Sequence, residues 1–230
     1  MGKVIARIPL TGGPKGGKTK IKEAIRNMIE SEYGYKVFVV PETATEIING
    51  GFIPIGDKNS SNERERYLFR ETNIAFQQMI LNMQIAKEQN YEIAAVTWPE
   101  DSVIIYDRGI MDNLGYLVMN LGEEGYKLFD RMLSEYNLTV EEIMKKYDAV
   151  LSLESSAKIT SFANNADDTT IRIEADELGA MRVDKYVSAV WENHQNYQRI
   201  TATEDFQEKI NAVLEAIRKA IGGRAKKMIL

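Results

Sequence analysis

The sequence predicts an α/β protein built on a parallel sheet, and three observations predict it. Strand-like apolar runs alternate with helix-period patterns, the arrangement of strands joined by crossover helices. A glycine-rich run follows the first strand, Thr11-Gly12-Gly13-Pro14-Lys15-Gly16-Gly17-Lys18-Thr19, and carries the spacing G-x-x-x-x-G-K-[ST] from Gly12 to Thr19. A wholly apolar run, Val103-Ile104-Ile105-Tyr106, ends in Asp107, as a doubly buried strand does when it delivers an acid to the carboxyl edge of a sheet.

The elements follow in order. The first strand spans residues 4–11. Its helix begins near Lys18 and carries Ile21, Ala24, Ile25, Met28 and Ile29 at spacings of three and four. The second strand, residues 36–40, is closed by Pro41, and a short helix over residues 43–48 ends at Asn49-Gly50-Gly51. A polar stretch, residues 56–62, leads into a long helix with the stripe Leu68, Phe69, Thr72, Ala75, Phe76, Met79, Ile80 and Met83. The third strand is residues 103–106. Two helices are expected before the fourth strand, one over residues 123–135 and one opened by Thr139, which forms a capping-box pattern with Glu142. The fourth strand spans residues 149–153, polar loop chemistry dominates 155–170, and a helix over 177–193 reaches Trp191. A short strand at 197–201 brings the strands to five, and the last helix carries Phe206, Ile210, Val213, Leu214, Ile217 and Ile221. The expected organisation is one domain over residues 1–230, with an insert near 155–175 and a basic tail at 222–230.

Composition narrows the function. A hydrophobic fraction of 44% supports a real core, while 27% charged residues keep the surface polar. A net charge of −5 lacks the basic face that duplex nucleic acid requires, so no nucleic-acid partner is expected. The absence of cysteine excludes disulfides, thiol nucleophiles and thiolate metal sites, and fits a reducing compartment. No apolar run approaches the roughly 20 residues of a membrane span. Residues 1–6 enter a strand pattern directly rather than forming a signal peptide, and Ala6 stands where a myristoylation motif wants Ser or Thr. A cytoplasmic protein is expected.

The glycine-rich run is a phosphate cradle in form. Glycines let the backbone approach a phosphate closely, successive N–H groups point inward, and the following helix adds the positive end of its dipole. Lys18 supplies a full charge to the β- and γ-phosphates, and the Thr19 hydroxyl is placed to ligate Mg²⁺. The expected nucleotide-binding residues are Gly12, Gly13, Pro14, Lys15, Gly16, Gly17, Lys18, Thr19 and Lys20. Asp107 is the expected Mg²⁺-associated acid, so the metal set is Thr19 with Asp107. Pro41-Glu42-Thr43 places Glu42 at another strand end, where its carboxylate can accept a proton from a substrate hydroxyl or simply favour a helix dipole. Arg108 can clamp a phosphate or orient Glu42. Arg172 follows a loop rich in Asn, Asp and Thr, a place suited to a lid, where an arginine stabilises transition-state charge. His194, the single histidine, reads as a packed or capping residue rather than a metal ligand.

The cradle with its internal Pro14, then Pro41-Glu42-Thr43-Ala44-Thr45, then Tyr106-Asp107-Arg108-Gly109, resemble the AAA-labelled P-loop family that includes nicotinamide-riboside-kinase-like and TRPL-translocation-defect-type domains. Phe76-Gln77, Arg172 with Glu174, Asp184, Trp191 and His194 fall in the order that family shows. The resemblance implies a P-loop NTPase three-layer sandwich of the nucleoside or small-molecule kinase type. Its five-stranded parallel sheet would run 2-3-1-4-5, with a lid after the fourth strand. It also implies catalytic roles for Lys18, Glu42, Asp107, Arg108 and Arg172. The expected function is transfer of the ATP γ-phosphoryl, with Mg²⁺, to a hydroxyl of a nucleoside-like acceptor. The alternative is a nucleotide-dependent switch, using ATP or GTP without a small-molecule acceptor. No Asn-Lys-x-Asp guanine motif follows a strand, which favours ATP. A homodimer is left open.

Overall fold

The computed structural model describes residues 2–14, 16–155 and 177–222. Five strands, β1 (Val4–Thr11), β2 (Lys36–Val40), β3 (Ser102–Asp107), β4 (Val150–Leu153) and β5 (Tyr197–Ile200), pair in parallel in the order β2-β3-β1-β4-β5. This is the expected sheet. Its helices are α1 (Lys18–Tyr33), α2 (Thr43–Asn49), α3 (Glu63–Thr97), α4 (Asp112–Leu121), α5 (Glu124–Ser134), α6 (Val140–Lys146), α7 (Glu177–Ala189) and α8 (Phe206–Gly222).

Strand periodicity divides the core in two. Val103 and Ile105 share one face of β3, where Ile8, Leu10 and Leu151 join them under Ile21, Ile25 and Ile29 of α1 and Val213 and Ile217 of α8. Ile104 and Tyr106 point the other way, with Val150, under Leu81 and Ile85 of α3, Leu117 of α4 and Phe129 of α5. Helices therefore cover both faces, which explains why β3 is an unbroken apolar run from Val103 to Tyr106. Each such side chain contributes about 1.5–3 kcal/mol by leaving water. Gly34 stops α1 with φ 67°, and the Thr139–Glu142 capping box opens α6 as its sequence pattern predicts.

Two elements differ from expectation. The helix α4 is absent from the sequence reading, although Met111, Leu114, Leu117, Val118 and Leu121 keep a helical spacing. Gly115 obscures it, since glycine inside a helix costs about 1 kcal/mol relative to alanine. The structure supplies the reason for that glycine: a Cβ there would lie 2.8 Å from Val187 Cα on α7. The helix α7 ends at Ala189 rather than 193, because residues 190–194 turn back, with His194 N–H donating to Trp191 O at 2.8 Å. The expected insert beyond Ser155 and the tail beyond Gly222 lie outside the described residues. Among the described residues no helix is long and apolar enough to cross a membrane.

Because all five strands run the same way, their carboxyl ends share one edge. Thr11, Val40, Asp107, Leu153 and Ile200 end there, and the segments that follow them build the site.

Candidate active site

The strand β1 delivers the cradle. Gly12 and Gly17 take positive φ of 109° and 79°, and at Gly17 a Cβ would meet the Phe206 ring at 2.4 Å. The helix α1 then starts at Lys18 with no side-chain cap and no acid in its first turn. Its first amides are thus left for an anion, which is what a phosphate site needs. Thr19 and Lys20 are exposed on that turn.

Lys18 Nζ donates to Gly13 O at 3.2 Å, so the ammonium lies over the loop. Burial lowers its pKa and Arg108 lowers it further, while Asp107, Glu42 and Asp112 oppose them. Asp107, Glu42 and Arg108, three charged residues that the sequence singles out, therefore all act on Lys18.

Glu42 stands at the N-cap position of α2 but does not cap it. Its Oε1 accepts from Arg108 Nε at 2.6 Å, and its Oε2 from Thr45 Oγ1 at 3.2 Å. Burial pushes the carboxyl up, but Arg108 and then Lys18 outweigh it and hold Glu42 at about 2. Arg108 also donates from Nη1 to Gly12 O at 3.1 Å, lies 3.6 Å from Asp112 Oδ2, and sits 5.6 Å over the Tyr116 ring. Its φ of 74° is left-handed, which costs an L-residue about 1–2 kcal/mol. Two hydrogen bonds fix that conformation: Arg108 N–H donates to Leu10 O at 3.1 Å, and Gln84 Nε2 donates to Arg108 O at 3.3 Å. Gln84 also accepts from Thr43 Oγ1 at 2.8 Å and donates to the buried Glu88 at 2.9 Å. One amide of α3 thus braces the neighbours of both Glu42 and Arg108.

Asp107 ends β3 as expected. Its Oδ2 pairs with Lys22 of α1, while its buried Oδ1 has no hydrogen-bond partner among the described residues. Mg²⁺ ordinarily keeps several waters and takes one or two carboxylates beside substrate phosphates. An orphaned carboxylate oxygen, with Thr19 on the adjoining helix turn, fits that chemistry. Among the described residues no group of three or more His, Cys, Asp or Glu side chains could cage a metal by itself.

The structure brings Gly12, Gly13, Lys18, Glu42, Asp107 and Arg108 to one edge. Lys15 and Arg172 lie outside the described residues. Sequence reasoning missed Asp112, a buried acid whose Oδ1 accepts from Thr11 Oγ1 at 2.7 Å and from Trp191 Nε1 at 2.6 Å. Burial raises its pKa, with Arg108 opposing. An acid four residues after Arg108 is the signal that could have found it, once α4 is seen as a helix. Lys22 and Gln84 carried no motif. His194 packs as expected, its Nδ1 accepting from Asn196 N–H at 3.1 Å and its Nε2 facing Tyr147 O at 3.0 Å. Beside the cradle, the buried Lys209 of α8 donates to Glu154 O at 2.6 Å, and burial, then Lys18, lowers its ammonium to about 8.

A family model described as an AAA domain matches residues 7–209. No curated protein matches the chain. Among solved structures, deoxyadenosine kinase from M. mycoides with bound dATP superposes with a TM-score of 0.57 at 15% identity, over 93% of this chain and 99% of that one. The same enzyme with the products dCMP and dCDP gives 0.56 at 14%, and with dCTP 0.54 at 15%, over the same shares of each chain. At these identities the likeness speaks for the fold.

Proposed function

The chain belongs to the AAA-domain family, and on that footing we propose that it is a P-loop kinase. It moves the γ-phosphoryl of ATP to a hydroxyl of a nucleoside-like acceptor. The observation that carries this reading is the Glu42–Arg108 pair, held at 2.6 Å beside the phosphate cradle and electrostatically coupled to Lys18. A cradle that only held nucleotide would need no carboxylate there. The solved kinases of the same fold support the reading, and the proposal extends to a narrower likeness, to nicotinamide-riboside-kinase-like and TRPL-translocation-defect-type domains.

In this reading Lys18 and the later amides of the cradle, from Gly16 into the first turn of α1, hold the phosphates, while the Gly13 amide is already taken by Asp184. Thr19 and Asp107 would hold Mg²⁺, which neutralises charge on the β- and γ-phosphates. The acceptor oxygen forms a bond to the γ-phosphorus as the bond to the bridging oxygen breaks, and that electron pair leaves with ADP. Phosphoryl transfer of this kind is loose and asks little of a base, so positioning dominates. Glu42, already ionised, orients the hydroxyl and takes its proton late. Arg108 and Lys18 carry the charge on the transferring group, with Arg172 as a further cation.

The test is mass spectrometry of co-purified ligand, followed by an ATP-consumption screen over nucleosides, sugars and vitamins. A nucleoside monophosphate beside ADP supports the kinase. Glu42→Gln should then lower transfer about 10²-fold or more while sparing nucleotide affinity. Nucleotide alone, with no acceptor-stimulated consumption, would overturn the kinase in favour of a nucleotide-dependent switch.

A further inference from the structure

Asp184 has no task in the transfer chemistry, yet it touches the cradle. It is 5% exposed on α7, and its Oδ1 accepts from Gly13 N–H at 2.9 Å. Its Oδ2 accepts from Arg199 Nη2 at 2.6 Å. Arg199, on β5, is itself braced, donating to Ser188 Oγ at 2.8 Å, and Ser188 meets Ser152 of β4 at 2.8 Å. The approach is close enough to require glycine: a Cβ on Gly13 would lie 2.8 Å from Asp184 Cβ and 2.9 Å from Ala180 O. The carbonyl of that same Gly13 receives Lys18 Nζ.

The two polar groups of Gly13 are therefore spoken for, the N–H by Asp184 and the C=O by Lys18. A carboxylate at a phosphate cradle is an odd neighbour, since like charges repel. Arg199 resolves this by pairing one oxygen, while the Gly13 amide takes the other. The amide is withdrawn from phosphate binding and given to the scaffold instead.

We propose that Asp184 is a positioning residue for the phosphate cradle: anchored by Arg199, it fixes the Gly13 peptide so that Lys18 and the later amides of the loop face the nucleotide. The proposal rests on the nucleotide-binding reading of the cradle. It makes Asp184 act through Gly13 and Lys18, not on the substrate.

The experiment measures Mg²⁺·ATP and Mg²⁺·ADP affinity by calorimetry for the wild type, Asp184→Ala, Asp184→Asn and Arg199→Met, with the Gly13 amide proton followed by NMR. Asp184→Ala should weaken binding about tenfold, the scale of one lost hydrogen bond. Asp184→Asn keeps an acceptor for Gly13 and should recover most of that loss. Arg199→Met, which leaves the carboxylate in place but unanchored, should fall between the wild type and Asp184→Ala. The Gly13 amide proton should move upfield in Asp184→Ala and stay near its wild-type position in Asp184→Asn. A purely structural role would lower melting temperature without this pattern of recovery. Wild-type affinity in folded Asp184→Ala, or in Arg199→Met should the alanine variant not fold, overturns the proposal alone. Wild-type protein that binds neither nucleotide overturns the cradle reading and this proposal with it.

Discussion

Arg108 is held in a backbone conformation that its side chain disfavours, and its neighbours supply the compensation. Its guanidinium joins Glu42, Gly12 O and Asp112, while Gln84 and Leu10 take its own backbone groups. Removing the guanidinium leaves Glu42 buried with only Lys18 and the Thr45 hydroxyl against the cost of burial. In Arg108→Met the Glu42 carboxyl should rise from about 2 toward and past its ordinary value, read by carboxyl-carbon NMR titration. A Glu42 that still titrates near 2 would show that Arg108 does not set its charge. Lys18→Ala removes the ammonium that touches Gly13, and should lower phosphoryl transfer about 10²–10³-fold at saturating acceptor. These residues were legible because they belong to short motifs with a mechanical reason for their spacing. Asp112 was not, because its meaning is three-dimensional: Thr11 and Trp191 reach it from 101 and 79 residues away.

At the scale of elements, α4 shows why local pattern fails where packing rules. Propensity argues against Gly115, but the backbone of α7 passes where its side chain would be. Gly115→Ala should therefore lower the melting temperature, although alanine is the better helix former by about 1 kcal/mol. A rise in melting temperature would mean that α7 can shift aside at no cost. The long helix α3 is the opposite case, legible in its apolar stripe but not in its purpose. Its inward side also carries Gln84 and Glu88, and Glu88 is fully buried against Lys146 and Tyr147. Burial raises the pKa of Glu88, and Lys146 works against that rise. Lys146→Met leaves the carboxylate with no paired cation among the described residues, only the neutral donors Gln84 and Tyr147, and should cost about 3–5 kcal/mol in denaturant unfolding. A cost within the noise of surface substitutions would place the pair in water.

At the scale of the whole molecule, the parallel sheet gathers charge at one edge. The strand order could be anticipated only through family likeness, because hydropathy reports that a strand is buried and not which strands lie beside it. The site's outline followed from that order. Its bracing did not, since Gln84 and Arg199 become neighbours of the cradle, and Lys22 a partner of Asp107, only on folding. Burial beside that edge, and then the charge of Lys18, depresses Lys209. Its pKa falls from 10.5 to about 8, so between those values the unfolded chain binds more protons than the folded one. Stability should therefore rise with pH across that window, and Lys209→Met should lack this part of the rise. Parallel pH profiles for wild type and variant would refute the assignment.

Phe206 leans on Gly17 at the entrance of α1, and an added methyl would strike its ring at 2.4 Å. That obstacle can be trimmed by a smaller residue at 206. The positive φ of 79° at Gly17 cannot, because it is a property of the chain's own turn into α1, which a smaller side chain at 206 leaves unchanged. Evolution could thus repair half of a Gly17→Ala lesion from α8, and a hunt for suppressors should yield true revertants in preference to distant rescuers.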